Sequence, residues 1–449
     1  MMKTVSFLRP LSGFAIGRFF LPFFIVMVGF IANAHAINIQ KVTSPKGVHA
    51  WLVEDNTLPI ISLQFSMAGG TTQDPQGKDG LVNLMAGLFD EGAGEIKSEE
   101  FQARLDDIGA EMSFSTDRDR MRGSIRVLSD HQQEAFELLA LAIQQPRFDQ
   151  DALDRVRGQL VTRLRALEKS PVTIAQNRLN ALIYGKHPYG RRILGTPETL
   201  ETISRDDLLA AHKAIFAKDD LNIGIVGPVS PEEAGQLLDQ IFAPLPEKAK
   251  LKKIENVQLN LGGTANVNYD LPQTTLTLVY PGVYRDDPNF FPAYLMDYIL
   301  GGPGLTSRLF DEVREKRGLA YTVGSNLTIN DHSAALVIST GTKASEAQKT
   351  LATIREQVKK MADNGVTEQE LKDAKSYMIG SYAVQNMGSS SEIASTLVTM
   401  QNENLPIDYM EKRENDINAV TLEQIKEIAK KLLSVEPALL VVGPTKNDG

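Results

Sequence analysis

Two segments of this 449-residue chain end alike. Residues 221–228 read Leu-Asn-Ile-Gly-Ile-Val-Gly-Pro, and residues 437–444 read Pro-Ala-Leu-Leu-Val-Val-Gly-Pro. In each, an apolar strand runs into the same Val-Gly-Pro turn, and an amphipathic helix precedes it (205–216 and 422–433). The openings match as well. Strand-like segments 50–53 and 60–67, a turn-rich loop 69–80 and an apolar helix 81–89 are echoed by 266–269, 274–280, the loop PGVYRDDPNF and a helical stretch 291–300. An echo of this length predicts a duplicated domain, because solenoid repeats are far shorter. The polar stretch 246–263 suits a solvated linker between the copies. The expected layout is a domain over 37–245, a linker over 246–263 and a second domain over 264–449, each an α+β sandwich with helices packed on a largely antiparallel sheet.

Helix and strand signals fill in the rest. Residues 98–108 repeat every 3.6 residues and stop at Gly109; 134–144 is apolar enough for a buried helix; 151–169 is long, charge-laced and stopped by Pro171. Residues 112–127 predict two strands around a polar turn at 117–119.

The first 36 residues differ in kind. Lys3, Arg9 and Arg18 precede the apolar run 19–32, and Asn33-Ala34-His35-Ala36 supplies an A-x-A cleavage signal. This predicts a secretory signal peptide cut after Ala36 and a periplasmic or secreted chain. The alternative is an uncleaved anchor, for which the run is short of the ~20 residues a span requires. No later segment is a membrane-span candidate. The absence of cysteine excludes a disulfide framework, thiolate metal sites and a Cys nucleophile. A formal charge of −9, without basic patches interleaved with aromatics, argues against nucleic-acid binding.

The most specific stretch is 309–325, LFDEVREKRGLAYTVGS. Leu309, Phe310 and Val313 form an apolar helical stripe. Arg314, Lys316 and Arg317 fall in its last turn, where cations suit the helix dipole. Gly318 is placed as the residue that ends a helix, and Tyr321 begins an alternating strand. Arg314 and Tyr321 are thus delivered to one point across a single glycine turn.

Extended upstream, GGPGLTSRLFDEVREKRGLAYTV resembles the C-terminal signature of the M16 (pitrilysin/insulinase-like) peptidases. Weaker matches are the glycine loop running into the helix at Leu81, the run His187-Pro188-Tyr189-Gly190 followed by Gly195-Thr196, and the closing Val-Gly-Pro turns. Together they span nearly all of the chain after Ala36. The resemblance implies two LuxS/MPP-like αβ domains in a clamshell. It also implies a zinc site on the first apolar helix, where H-x-x-E-H supplies two ligands and a general base, with a third ligand, Glu, from a later long helix.

This sequence departs at every one of those positions. Asn83 and Gly87 stand where the histidines belong, Ala86 where the base belongs, and Arg163 at or beside the third ligand. No acid lies between Asp154 and Glu168. The remaining histidines (His49, His131, His187, His212 and His332) do not pair at helical spacing, so no substitute metal site is expected and His187 is expected to be a loop or packing residue.

The resemblance gives Arg314 and Tyr321 catalytic roles: the phenol donates to the scissile carbonyl oxygen as it becomes an oxyanion, and the guanidinium helps hold the peptide. Other candidates are weaker. Asp90-Glu91 is expected to be a solvated helix end, Ser390 or Ser391 a helix cap, and Gly301–Gly304 lacks the Lys of a phosphate loop.

Two functions fit. One is the non-zinc subunit of a heterodimeric metalloendopeptidase, inactive alone, working with an H-x-x-E-H partner that holds the zinc and acting on peptides or unfolded segments. The other is a catalytically inactive peptide-binding or scaffold protein.

Overall fold

The computed structural model describes residues 37–444; the signal-peptide reading of residues 1–36 lies outside them. The first half contains strands β1 (Gln40–Thr43), β2 (His49–Glu54), β3 (Ile60–Ala68), β4 (Gly92–Ala93), β5 (Ile96–Lys97), β6 (Glu111–Thr116), β7 (Arg120–Leu128) and β8 (Asn222–Gly227). Its helices are α1 (Leu81–Ala86), α2 (Ser98–Asp107), α3 (Gln132–Gln144), α4 (Gln150–Leu167), α5 (Pro171–Tyr184), α6 (Pro197–Glu201), α7 (Arg205–Ile215) and α8 (Pro231–Phe242). The second half contains β9 (Thr264–Asn268), β10 (Gln273–Pro281), β11 (Ala320–Asn330), β12 (Ser333–Lys343) and β13 (Ala438–Gly443). Its helices are α9 (Phe290–Gly301), α10 (Ala347–Asn364), α11 (Glu368–Asn386), α12 (Ser390–Asn402), α13 (Tyr409–Ala419) and α14 (Leu422–Leu433).

The duplication is visible in the sheets. Strand order is β2-β8-β3-β7-β6 in the first, with β1 added outside β2, and β9-β13-β10-β12-β11 in the second. In both, the opening and closing strands run parallel (β2 with β8, β9 with β13) and the other neighbours are antiparallel. The repeated Val-Gly-Pro turn has a steric cause. A Cβ on Gly227 would lie 2.6 Å from the Ile60 carbonyl oxygen, and one on Gly443 would lie 2.4 Å from Thr274 Oγ1. Each closing strand ends hard against the start of the central strand beside it.

Each sheet buries one face under helices of its own half. The other face is covered by a helix from the opposite half. Helix α5 leaves the first half and lays Ala175, Leu179 and Ile183 on Ala265, Val279, Ala438, Leu440 and Val442 of the second sheet. Helix α12 leaves the second half and packs on β3 and β8, with Ala394 and Leu397 fully buried. Removing a Leu or Ile side chain from water contributes roughly 1.5–3 kcal/mol, so the exchange binds the halves strongly. Gly224 in β8 makes the second contact possible: a Cβ there would sit 2.5 Å from the Ala394 carbonyl oxygen.

Polar groups close the junction. Arg120, 8% exposed, donates to Asn402 Oδ1 at 3.0 Å and pairs with Asp220 and Asp331. The Tyr189 hydroxyl donates to Asp119 and accepts from the His332 amide at 3.0 Å. Stretch 246–263 has no regular structure, yet it is not the freely solvated segment its composition suggests. Lys252 exchanges hydrogen bonds with Gln73, and the Val257 and Asn260 amides donate to His332 and Ile183 carbonyls.

Three local expectations are corrected. Helix α1 ends at Ala86, because Gly87 has left helical geometry, and Leu88 and Phe89 are buried in the turn that follows. Glu91 is buried rather than solvated; it accepts from Ser98 Oγ at 2.5 Å and pairs with Arg155. The cap of α12 is Ser389, which accepts from the Glu392 amide, while Ser390 and Ser391 lie inside the helix and reach Ser62 Oγ of the first sheet.

Substituting Gly224→Val forces a branched side chain into the β8–α12 contact. Overpacking of this kind costs about 1–3 kcal/mol, so the urea midpoint should fall clearly; an unchanged midpoint contradicts the packing described.

Candidate functional site

Residues 309–321 are built from the inside out. Leu309 and Val313 are fully buried and Phe310 nearly so, which fixes one side of a π-helical turn, Phe310–Glu315. The Lys316 amide donates to the Asp311 carbonyl, and the Leu319 amide to Val313. Gly318 then takes φ +60, a conformation costly for other residues, and the chain enters β11. The expected last-turn cations are held by acids as well as by the helix end. Lys316 pairs with Asp311 and Glu312, and Arg317 with Glu312.

Arg314 differs from its two neighbours. Its guanidinium lies 4.6 Å from the Phe310 ring centroid and 4.8 Å from that of Tyr321. Its one acidic partner among the described residues is the adjacent Glu315, at 3.7 Å. Tyr321 is brought to it by a register break. Ala320 pairs with Thr342 and Thr322 with Gly341, so Tyr321 is the extra residue of a β-bulge. Bulges re-aim side chains, and this one leaves Tyr321 78% exposed. Among the described residues its hydroxyl has no hydrogen-bond partner. Thr342 Oγ1 donates to Leu319 O at 2.6 Å and Thr340 Oγ1 to Thr322 O at 2.8 Å, pinning the bulge on both sides. The sequence places Arg314 and Tyr321 near one another but carries no sign of the bulge.

A second anchor lies behind the turn. Arg308 grips Glu370 with Nε to Oε1 at 2.6 Å and Nη2 to Oε2 at 2.8 Å, and donates to the Gly365 carbonyl. Glu370 also accepts from the Thr367 amide at the start of α11. Burial works to raise its carboxyl, but the Arg308 and Thr367 hydrogen bonds outweigh it and hold it at about 2.

The four degenerate positions also come together. Asn83, Ala86 and Gly87 from α1 and its end face Arg163 on α4 across a depression of about 340 Å³, bordered by Phe114–Thr116 of β6. Gln159, one helical turn before Arg163, lines it too; sequence reasoning missed it because only the α4 register shows which residues face α1. A Cβ added at Gly87 would meet Val156 Cγ1 at an ordinary 3.5 Å. Space is therefore not what bars a metal. The donor set bars it: two amides, a methyl, a glycine and a cation offer Zn²⁺ no thiolate, imidazole or carboxylate. Among the described residues no cluster of three or more His, Cys, Asp or Glu could hold a metal ion. His187 accepts from the Tyr189 amide and meets the Glu255 carbonyl, which is a structural role.

A carboxyl held below its unfolded value adds stability that is full above about 4.5 and is lost as pH falls toward about 2. Across that window the urea midpoint of the native chain should fall more steeply than that of Glu370→Gln. Parallel pH curves would show that the Arg308 grip does not hold this turn.

Comparison with known proteins identifies the family and the fold. A family described as insulinase (peptidase family M16) matches residues 51–197, and one described as the peptidase M16 inactive domain matches residues 202–378. YmxG of Bacillus subtilis, described as an uncharacterized zinc protease, is 25% identical over 411 residues, covering 91% of this chain and 99% of that protein. The protein of Helicobacter pylori described as the non-peptidase homolog YmxG is 26% identical over 404 residues, covering 89% and 92%. A solved M16 inactive domain from Pseudomonas fluorescens superposes with a TM-score of 0.84 at 29% identity, covering 91% of this chain and 99% of its own. The chain is a member of the M16 peptidase family.

Proposed function

We propose that this chain is the non-zinc subunit of a two-chain M16 endopeptidase, exported to the periplasm or secreted, that supplies Arg314 and Tyr321 to a peptide held at the zinc site of an H-x-x-E-H partner. The observation that carries the proposal is the bulged, exposed Tyr321, whose hydroxyl the fold does not use and against whose ring Arg314 is stacked. A tyrosine kept only to fill a sheet edge would turn its ring inward. The description of the Helicobacter pylori relative as a non-peptidase homolog fits a chain that does not cleave peptides by itself, which both this reading and the second one below require.

The chemistry follows from the two groups. When water adds to a peptide carbonyl, negative charge gathers on its oxygen, and a phenol O–H aimed at that oxygen donates to it more strongly as the charge grows. The guanidinium, held against the ring, adds a donor fork for the peptide backbone. Neither group can activate water, so the partner must supply that step, and this chain alone should not cleave peptides.

A second reading, a peptide-binding or scaffold chain with no part in catalysis, draws on β6. That strand is one of the two edges of the first sheet and borders the metal-incompetent depression, so an extended peptide could add to it without being cut. The two readings separate on one variant. With the zinc partner present, Tyr321→Phe should lower kcat by about 10²–10³ with little change in KM. Full activity in the variant complex would leave the scaffold reading standing.

A further inference from the structure

The second half keeps its own counterpart of the degenerate depression. Helices α9 and α11 stand where α1 and α4 stand in the first half, and they too enclose a space. This cavity, about 200 Å³, is closed on a third side by α13 and lined by Tyr294, Asp297, Tyr298, Tyr377, Tyr382 and Arg413. On alignment of the two helix pairs, Asp297, Tyr377 and Ser381 take the places of Gly87, Gln159 and Arg163.

Its charges are not satisfied by the fold. Asp297 is 6% exposed; one carboxylate oxygen accepts from the Leu327 amide at 3.2 Å, and Oδ1 is buried without a hydrogen-bond partner among the described residues. Burial pushes its carboxyl up to about 6, against the nearby Ser325 hydroxyl and the Leu327 amide. Arg413 is also 6% exposed. Its Nη1 donates to the Met378 carbonyl at 3.1 Å and its guanidinium lies 4.2 Å from the Tyr382 ring centroid. It has no acidic partner within ion-pair distance among the described residues. A buried acid and a buried base that do not pair with each other are costly to keep. The stacked rings of Tyr298 and Tyr377, 4.9 Å apart, add faces that attract a cation.

We propose that this cavity binds a free α-amino acid, its ammonium group on Asp297 and its carboxylate on Arg413. The volume is below that of sites for drug-sized ligands and suits a single residue. A zwitterion answers both unpaired charges at once, which neither a simple amine nor a simple acid does. The proposal does not depend on the chain's place in a peptidase.

The test is calorimetric titration of the full chain with each of the twenty common amino acids, followed by the N-acetyl and carboxamide forms of the best binder. One-to-one saturable binding is expected for at least one amino acid. Each blocked form should bind at least about tenfold more weakly, because each loses one charge-assisted contact. Asp297→Asn should weaken binding as much, and Ser381→Leu, which fills the cavity without touching either charge, should do the same. No binding by any amino acid overturns the proposal, as does binding that the two blocked forms retain. Because the blocked forms are tested on the native chain, a variant that fails to fold does not shield the proposal.

Discussion

Each central sheet has two faces to bury, and the helices of its own half cover only one. The remaining faces are covered by exchange, with α5 on the second sheet and α12 on the first. Neither half can therefore cover both faces of its sheet alone. Details that look unrelated follow from this. Gly224 is bare because α12 must approach β8 closely, and Ser390 and Ser391 meet Ser62 across the halves. Arg120, itself buried, pairs with the half-exposed Asp220 and Asp331 where the crossing chains converge. Removing these partners would leave the buried Arg120 charge uncompensated, which is costly.

On that rigid frame the two copies of one arrangement have diverged. In the first half the helix pair α1 and α4 presents amides, a methyl, a glycine and a guanidinium, a set that no longer suits a metal ion. In the second half the pair α9 and α11 encloses a smaller cavity with a buried acid and a buried base. The segment that follows α9 holds Arg314 and Tyr321 on a π-helical turn and a β-bulge, two irregularities that frequently mark functional sites.

Much of this was legible in the sequence. The duplicated order of elements, the Val-Gly-Pro closures and the Arg–Gly–Tyr turn are local patterns, and local patterns survive translation into structure. The exchange of α5 and α12 was not legible, because an amphipathic face says that it will be buried but not against which sheet. The bulge at Tyr321 was hidden because alternation in β11 looks the same with or without one extra residue. Gln159 and the Asp297–Arg413 cavity were missed because their members lie far apart in sequence and meet only once helices pack. Glu91 was misread because a carboxylate before a glycine looks like a solvated end until Arg155 is seen beside it.

Under the proposed function this chain holds half of a peptidase site and none of its metal. The most direct measurement is metal content and peptide cleavage on the purified chain, on an H-x-x-E-H family member, and on their mixture. No stoichiometric zinc and no cleavage are expected for this chain alone, with zinc travelling with the other chain and cleavage restored on mixing. One equivalent of zinc bound to this chain, with cleavage by it alone, would contradict the proposed role.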